Sequence, residues 1–580
     1  MGYTYNIGCS VTLILTHVHQ GRTGFMGYTR LNDDPDGDSV ALMQGQAPPR
    51  LARFGATDYV QLEDLDPDGS TTNEERRERV HEKFVENSAK ARRMLRNVVA
   101  LVLFVVISSM LAVGLYQRHQ VVNGHPATTV LAKPLDPHTK FSNGSHTFKR
   151  STLVISLDGM HPHYLSDSRT PRLHKLVKTG FATPYMRPSF PTQTFPNHWT
   201  LITGNYPINH GIVGNTFLDP EIGLDFVNVN PEKSRDRRFW GGEPLWITAK
   251  QHGVKSAVHM WPGSEAEWGD QYPDEYSEYD GNEPLDKKAD KILGWLDSED
   301  MPQLMLAYVP NIDAVGHASG IFGPQLMAEC LSVDQFIGTI LDGLSHRNLT
   351  DIVNLVVLSD HGMAPTDDTH MVFLDDIVSN WDNVTSNRGW PLAGLRFRDD
   401  EEVGTAIKSA KSAAKKGAAG YKVFGSDRMP PSWHFTTSEL EDAHGHKSGF
   451  GKYIQRLAPM YIVPEPTYSL VTHDDWDDMG HHYNLAGVHG YDPSSSLMRA
   501  LFLAQGPAFP AGRYYTFDNI DVYSAVCRSL GFPESPSSDG NFTGVPLMGK
   551  IPVEGYPPTS AGITDFFKGS SFDDFFDKHS

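Results

Sequence analysis

The chain has 580 residues, 39% hydrophobic and 11% aromatic, which suits a globular protein with one large domain and appendages rather than a single small core. Aspartate and glutamate total 70 against 50 lysine and arginine. The resulting formal net charge of -20 excludes a general nucleic-acid backbone binder, though not a small phosphate ligand held beside cations.

The chain opens on a polar, charge-dense arm, residues 1–96, expected to be mostly disordered and cytosolic. Its short apolar run at 11–15 lacks the basic lead-in of a signal peptide. Residues 97–116 carry no charge, and at about 1.5 Å per residue they span roughly 30 Å, the thickness of a hydrocarbon core. A transmembrane helix is therefore expected here. Lys90, Arg92, Arg93 and Arg96 precede the span and Arg118 follows it, so the rest of the chain is expected outside the cell or in a lumen, as in a single-pass type II membrane protein. The acceptor sequons at Asn143, Asn348, Asn383 and Asn541 all follow the span and agree with that orientation. Residues 117–150 read as a stalk, 151–550 as the catalytic domain and 551–580 as a polar tail.

Within the large domain, strand-like apolar runs recur at 153–157, 304–309, 353–358 and 500–504. Helical patterns at 285–296 and 330–344 separate them. Alternating buried strands and helices predict an α/β domain with a largely parallel sheet flanked by helices. Three cysteines, Cys9, Cys330 and Cys527, exclude a disulfide scaffold and a Cys-x-x-Cys zinc site. Cys330 and Cys527 are open either to one bridge or to two buried thiols.

Histidine is the telling residue: there are 26, several beside aspartates at the ends of apolar runs, where open α/β sheets place their sites. LVISLDGM sets Asp158 just past a strand, either as a turn residue or as a metal ligand. VVLSDHGM does the same for Asp360 and His361. In PNIDAVGHASG, Asp313 and His317 share one face if helical, and Gly316 lets them converge in a loop. They can equally be a capping aspartate and a surface histidine. His489 stands in GVHGYDP, a polar surface group or a further ligand. In PTQTFPNHWT, Pro196 places Thr194 at or near a helix N-terminus, where backbone N–H groups and the helix dipole favour an anion. Thr194 is then a plain cap or a nucleophile, and Asn215 a turn residue or a phosphoryl donor.

Taken in order, LDGM, PTQTFPNHWTLITGNYPINHGIVGN, PNIDAVGHASG, SDHGM and GVHGYDP resemble the nucleotide pyrophosphatase/phosphodiesterase family of the alkaline phosphatase superfamily, in its fungal, membrane-anchored form. The resemblance implies an alkaline-phosphatase-like domain holding two zinc ions, one by Asp158, Thr194, Asp360 and His361 and one by Asp313, His317 and His489. It implies attack on phosphorus by Thr194, a covalent phosphothreonine intermediate and its hydrolysis. Asn215 and the Phe195 N–H would hold the phosphoryl charge. Phe195 and Tyr279 are expected to form a slot for a nucleobase, with Trp261 lining the same pocket. The expected substrates are nucleoside triphosphates and dinucleotides, with a nucleoside 5′-monophosphate released. A choline or glycerol phosphodiesterase, a phosphomonoesterase and a catalytically silent surface binding module are the alternatives. Alkaline-phosphatase-like monoesterases generally use serine, and a silent module has no use for seven predicted metal-site residues. Sequence-specific nucleic-acid binding is not expected.

Overall fold

The computed structural model describes residues 138–417, 420–441, 447–533 and 537–540, together with Lys90, Met94, Arg96 and Asn97 in helical conformation. The chain divides into two units, Met1–His125 and Pro126–Ser580, and the description concerns the second. Apart from those four residues, the arm and the predicted transmembrane span lie outside the described residues, as do the tail and Asn541. Among the described residues, no helix is long and apolar enough to cross a membrane.

The centre is an eight-stranded sheet built from β1 (Ser151–Leu157), β2 (Phe181–Ala182), β3 (Ser256–His259), β4 (Glu275–Ser277), β5 (Leu304–Val309), β6 (Val353–Leu358), β7 (Phe502–Gln505) and β8 (Gly512–Arg513). Their spatial order is β8-β2-β7-β6-β1-β5-β3-β4. The run β6-β1-β5-β3-β4 is parallel throughout, whereas β7 lies antiparallel to both its neighbours. The apolar runs at 304–309 and 353–358 are β5 and β6 to the residue. The run at 500–504 becomes a strand that begins two residues later and ends one residue later, and it is reversed in direction.

Continuous apolar strands arise because the sheet is covered on both faces. Side chains alternate: Val154, Leu304, Leu306 and Val356 enter one core with Trp199 and Ile202 of α1 (Thr194–Thr203). Leu153, Ile155, Met305 and Val357 enter the other, against Ile292 of α2 (Leu285–Leu296) and Val333 and Ile337 of α4 (Pro324–His346). Between these two helices in the chain lies α3 (Asn311–Ser319), which leaves the end of β5. Each well-buried aliphatic side chain stabilises such a core by about 1.5–3 kcal/mol. A separate four-stranded antiparallel sheet, order Val384–Arg388, Ala393–Phe397, Met460–Pro464 and Tyr421–Gly425, carries its own small core.

One expectation is corrected here. The last residues of the assigned stalk are an antiparallel hairpin, Lys140–Ser142 with Thr147–Lys149, whose Phe141 and Phe148 pack on the domain core. Of the two alternatives left open for Cys330 and Cys527, the structure has the buried free thiols: Cys330 belongs to the core on one face of the sheet and Cys527 to the core on the other.

Candidate active site

Parallel strands present their carboxyl ends together, and the candidate residues sit there. Asp158 follows β1, Asp360 and His361 follow β6, and α3 carries Asp313 and His317. His489 follows the short strand Gly487–Val488, and Thr194 is the first residue of α1. These positions are up to 331 residues apart in the chain, yet they gather into one cluster. Asp158, Asp360 and His361 bring ligand atoms within 4.8 Å of one another, as do Asp313, His361 and His489. His317 Nε2 joins the second group, 3.3 Å from Asp313 Oδ2. His361 thus bridges the two groups, where the family resemblance implied a ligand of the first alone. Gly159 makes the approach possible: at φ +68, a Cβ there would lie 3.1 Å from Asp313 Cα.

Three observations fit this cluster to metal ions. First, Asp158 Oδ1 and Asp313 Oδ1 are buried without a hydrogen bond, a costly state for a carboxylate oxygen unless a cation is its partner, and Asp360 Oδ2 faces only imidazoles, His361 Nε2 at 2.9 Å and His198 Nδ1 at 3.3 Å. Second, each imidazole is tied through Nδ1 to a backbone carbonyl: His361 to Gly362 at 2.9 Å, His317 to Gly487 at 2.8 Å and His489 to Thr192 at 3.0 Å. A carbonyl only accepts, so Nδ1 carries a proton, and in the neutral ring the lone pair lies on Nε2, where a metal can take it. Third, the charges strain one another. Burial, then Asp360 and Asp313, push the Asp158 carboxyl well above its usual range. Burial also opposes ionisation of Asp360, but His361 and His198 outweigh it and hold that carboxyl well below the usual range. His489 is pushed down to about 3 by burial and by His361, so it stays neutral, as a ligand must. Mixed carboxylate and imidazole donors suit zinc or a similar transition metal.

Thr194 is 8% exposed, and its Oγ1 lies 3.4 Å from His361 Nε2. Helix α1 starts at Thr194 because Gln193 is extended and Pro196, in the first turn, has no N–H to satisfy. The Phe195 N–H donates to Asn215 Oδ1 at 3.0 Å, which turns the Asn215 amide and leaves its Nδ2 as the remaining donor. The expected phosphoryl contact by the Phe195 N–H is therefore shared with Asn215. Phe195 is half-buried against Phe226 and Trp240. Tyr279 is exposed, its ring 6.3 Å from that of Tyr308. Burial, then Asp158 and Asp313, raise its phenol pKa.

Trp261 corrects the expectation of a pocket-lining residue. It is 1% exposed, and its indole donates to the His198 carbonyl at 3.2 Å, so it buttresses α1 from beneath. Sequence reasoning passed over His198, which lies four residues after Thr194, the spacing that brings side chains together on a helix. Its Nδ1 donates to the Thr194 carbonyl at 2.9 Å and lies 3.3 Å from Asp360 Oδ2, while its Nε2 meets Ser156 Oγ at 2.8 Å. Tyr308 was passed over too; its hydroxyl donates to Asp158 Oδ2. Of the sequon asparagines, Asn348 is exposed, Asn383 is half-buried, and Asn143 donates its amide to the Arg347 carbonyl at 2.8 Å.

A family model described as type I phosphodiesterase/nucleotide pyrophosphatase matches residues 152–492. An uncharacterised pyrophosphatase/phosphodiesterase of Schizosaccharomyces pombe is 38% identical over 413 residues, covering 70% of this chain and 81% of that relative. Ectonucleotide pyrophosphatase/phosphodiesterase 1 of Saccharomyces cerevisiae is 32% identical over 509 residues, covering 77% of this chain and 65% of that protein. Among solved structures, an inactive variant of murine ectonucleotide pyrophosphatase/phosphodiesterase 5 in complex with AMP superposes with a TM-score of 0.60 at 27% identity, covering 69% of this chain and 100% of that one.

Proposed function

Because the chain belongs to the type I phosphodiesterase/nucleotide pyrophosphatase family of hydrolases, we propose that it cleaves nucleoside triphosphates and dinucleotides to nucleoside 5′-monophosphates, with Thr194 as covalent nucleophile and two zinc ions as cofactors. The observation that carries this reading is the ring of orphaned carboxylate oxygens and Nδ1-tied imidazoles around the Thr194 hydroxyl. Asp158, Asp360 and His361 would hold one ion beside Thr194, and Asp313, His317 and His489 the other. Bound there, the pair supplies Lewis-acid stabilisation of the phosphoryl oxygens and lowers hydroxyl pKa.

The chain's own residues do the rest. Helix α1 aims its N-terminus, and with it Thr194 Oγ1, at phosphorus. The His198 imidazole fixes the Thr194 carbonyl and so the orientation of the first turn. Asn215 Nδ2 donates to a non-bridging phosphoryl oxygen, where its contribution grows as charge develops. Thr194 displaces the leaving group and takes the nucleotidyl group, and water then releases the monophosphate. Phe195 and Tyr279 take opposite faces of the base, and such stacking tolerates any base. The reading includes a type II membrane anchor at residues 97–116 and glycans on the lumenal or extracellular sequons.

The test is to incubate the purified chain with a nucleoside triphosphate, a dinucleotide and a choline phosphodiester, and to identify the products. Nucleoside monophosphate from the first two is expected. Release of choline phosphate with no nucleotide cleavage would overturn the assignment.

A further inference from the structure

Trp390 lies at the rim of the cluster with 40% of its surface exposed. Its ring centroid is 6.3 Å from that of His317. An isolated exposed tryptophan needs no explanation, but this one is braced from two sides. Gln193, the residue before the nucleophile, donates through Nε2 to the Gly389 carbonyl at 2.9 Å and to the Trp390 carbonyl at 2.8 Å. The same side chain accepts from the Asn215 N–H through Oε1 at 2.7 Å. On the other side, Pro391 packs on Gly490, next to His489, so closely that a Cβ at Gly490 would lie 2.5 Å from Pro391 Cδ. The backbone under the tryptophan is thus tied to the nucleophile helix, to the phosphoryl donor and to a ligand loop, while part of the side chain stays open to solvent.

In an in-line displacement the leaving oxygen departs opposite the attacking one. Thr194 Oγ1 lies against His361, beside Asp158 and Asp360, so the leaving group emerges over Asp313, His317 and His489. Trp390 stands on that side. We propose that Trp390 is a stacking platform for the leaving half of the substrate and favours diesters whose leaving group carries a nucleobase or another flat aromatic ring. This rests on Thr194 being the nucleophile, and it adds a second aromatic contact, separate from Phe195 and Tyr279, for two-nucleoside substrates.

The test compares kcat/KM of the full chain on a dinucleoside polyphosphate, whose leaving half bears a base, with that on the matching nucleoside triphosphate, whose leaving group is pyrophosphate. In Trp390→Ala the ratio of the first to the second is expected to fall about ten-fold, the effect of losing one stack, and to fall through KM. Trp390→Phe is expected to restore most of it. A mere disturbance of His317 would instead lower kcat on both substrates together. An unmoved ratio in folded Trp390→Ala, or an equal loss through kcat, overturns the inference alone. A wild-type chain inert on both substrates overturns the nucleophile reading beneath it.

Discussion

The two halves of the cluster are made from similar ligands and differ in how they meet solvent. Asp158, Asp360 and His361 are sealed, with side chains 0–1% exposed. Asp313 and His317 keep 16% and 22% of theirs in reach of solvent. The sealed half hangs from the ends of β1 and β6, neighbouring strands paired on both sides within the sheet, which anchors the surroundings of the proposed nucleophile. The open half hangs from a nine-residue helix and a two-residue strand. Rigidity belongs where attack is aimed, and access belongs where a leaving group departs and water enters.

The sharpest break of this contrast is Thr194→Ala. Turnover is expected to fall on the order of 10³-fold or more while zinc content, read by elemental analysis, stays near wild type. Next, Asp360→Asn and His317→Asn separate the halves. Both are expected to lose on the order of 10²-fold or more in activity, but only His317→Asn regains activity on titration with zinc, because its site exchanges with solvent. Recovery of both to the same degree would erase the distinction. A smaller effect is expected for Tyr308→Phe, which removes the donor to Asp158 Oδ2 and should weaken cation affinity by about 10–100-fold, measured by competition with a chelator.

The smallest effect concerns stability rather than catalysis. Burial pushes His161 and His210 down to about 3. Each uses one ring nitrogen as an acceptor, from His163 N–H and Ile212 N–H respectively, which only a neutral ring can do. Between pH 6.5 and about 3 the unfolded chain binds these protons and the folded chain does not, so stability falls as pH falls through that window. The slope is at most about 1.4 kcal/mol per pH unit for each histidine. Thermal unfolding of the chain at pH 7 and pH 5 measures it, and an unchanged Tm contradicts it.

The same contrast separates what was legible in the sequence from what was not. Strands β5 and β6 and helix α2 were readable because buried strands are continuously apolar and the helix carries its own period. Asp158, Asp360 and His361 stand just past such runs, and the full ligand set was legible only through the resemblance of five motifs taken in order. Hidden were features that need a distant partner. The reversal of β7 is invisible to a period-two pattern, which has no direction. Trp261 reads as a pocket residue until His198 is seen above it. Lys288, on the predicted helix α2, is 1% exposed and donates to Glu283 Oε2 at 3.2 Å, the same oxygen that lies 2.6 Å from His259 Nε2, a buried group that no local pattern announces.

The central claim is a covalent step on Thr194, and the stereochemical course at phosphorus tests it most directly. With a nucleoside ester made chiral at phosphorus by sulfur substitution and cleaved in water enriched in heavy oxygen, so that the released monoester is itself chiral, two successive in-line displacements each invert the centre. Net retention in the released monophosphate is the predicted result. Net inversion would mean that water strikes phosphorus directly, and would contradict the account.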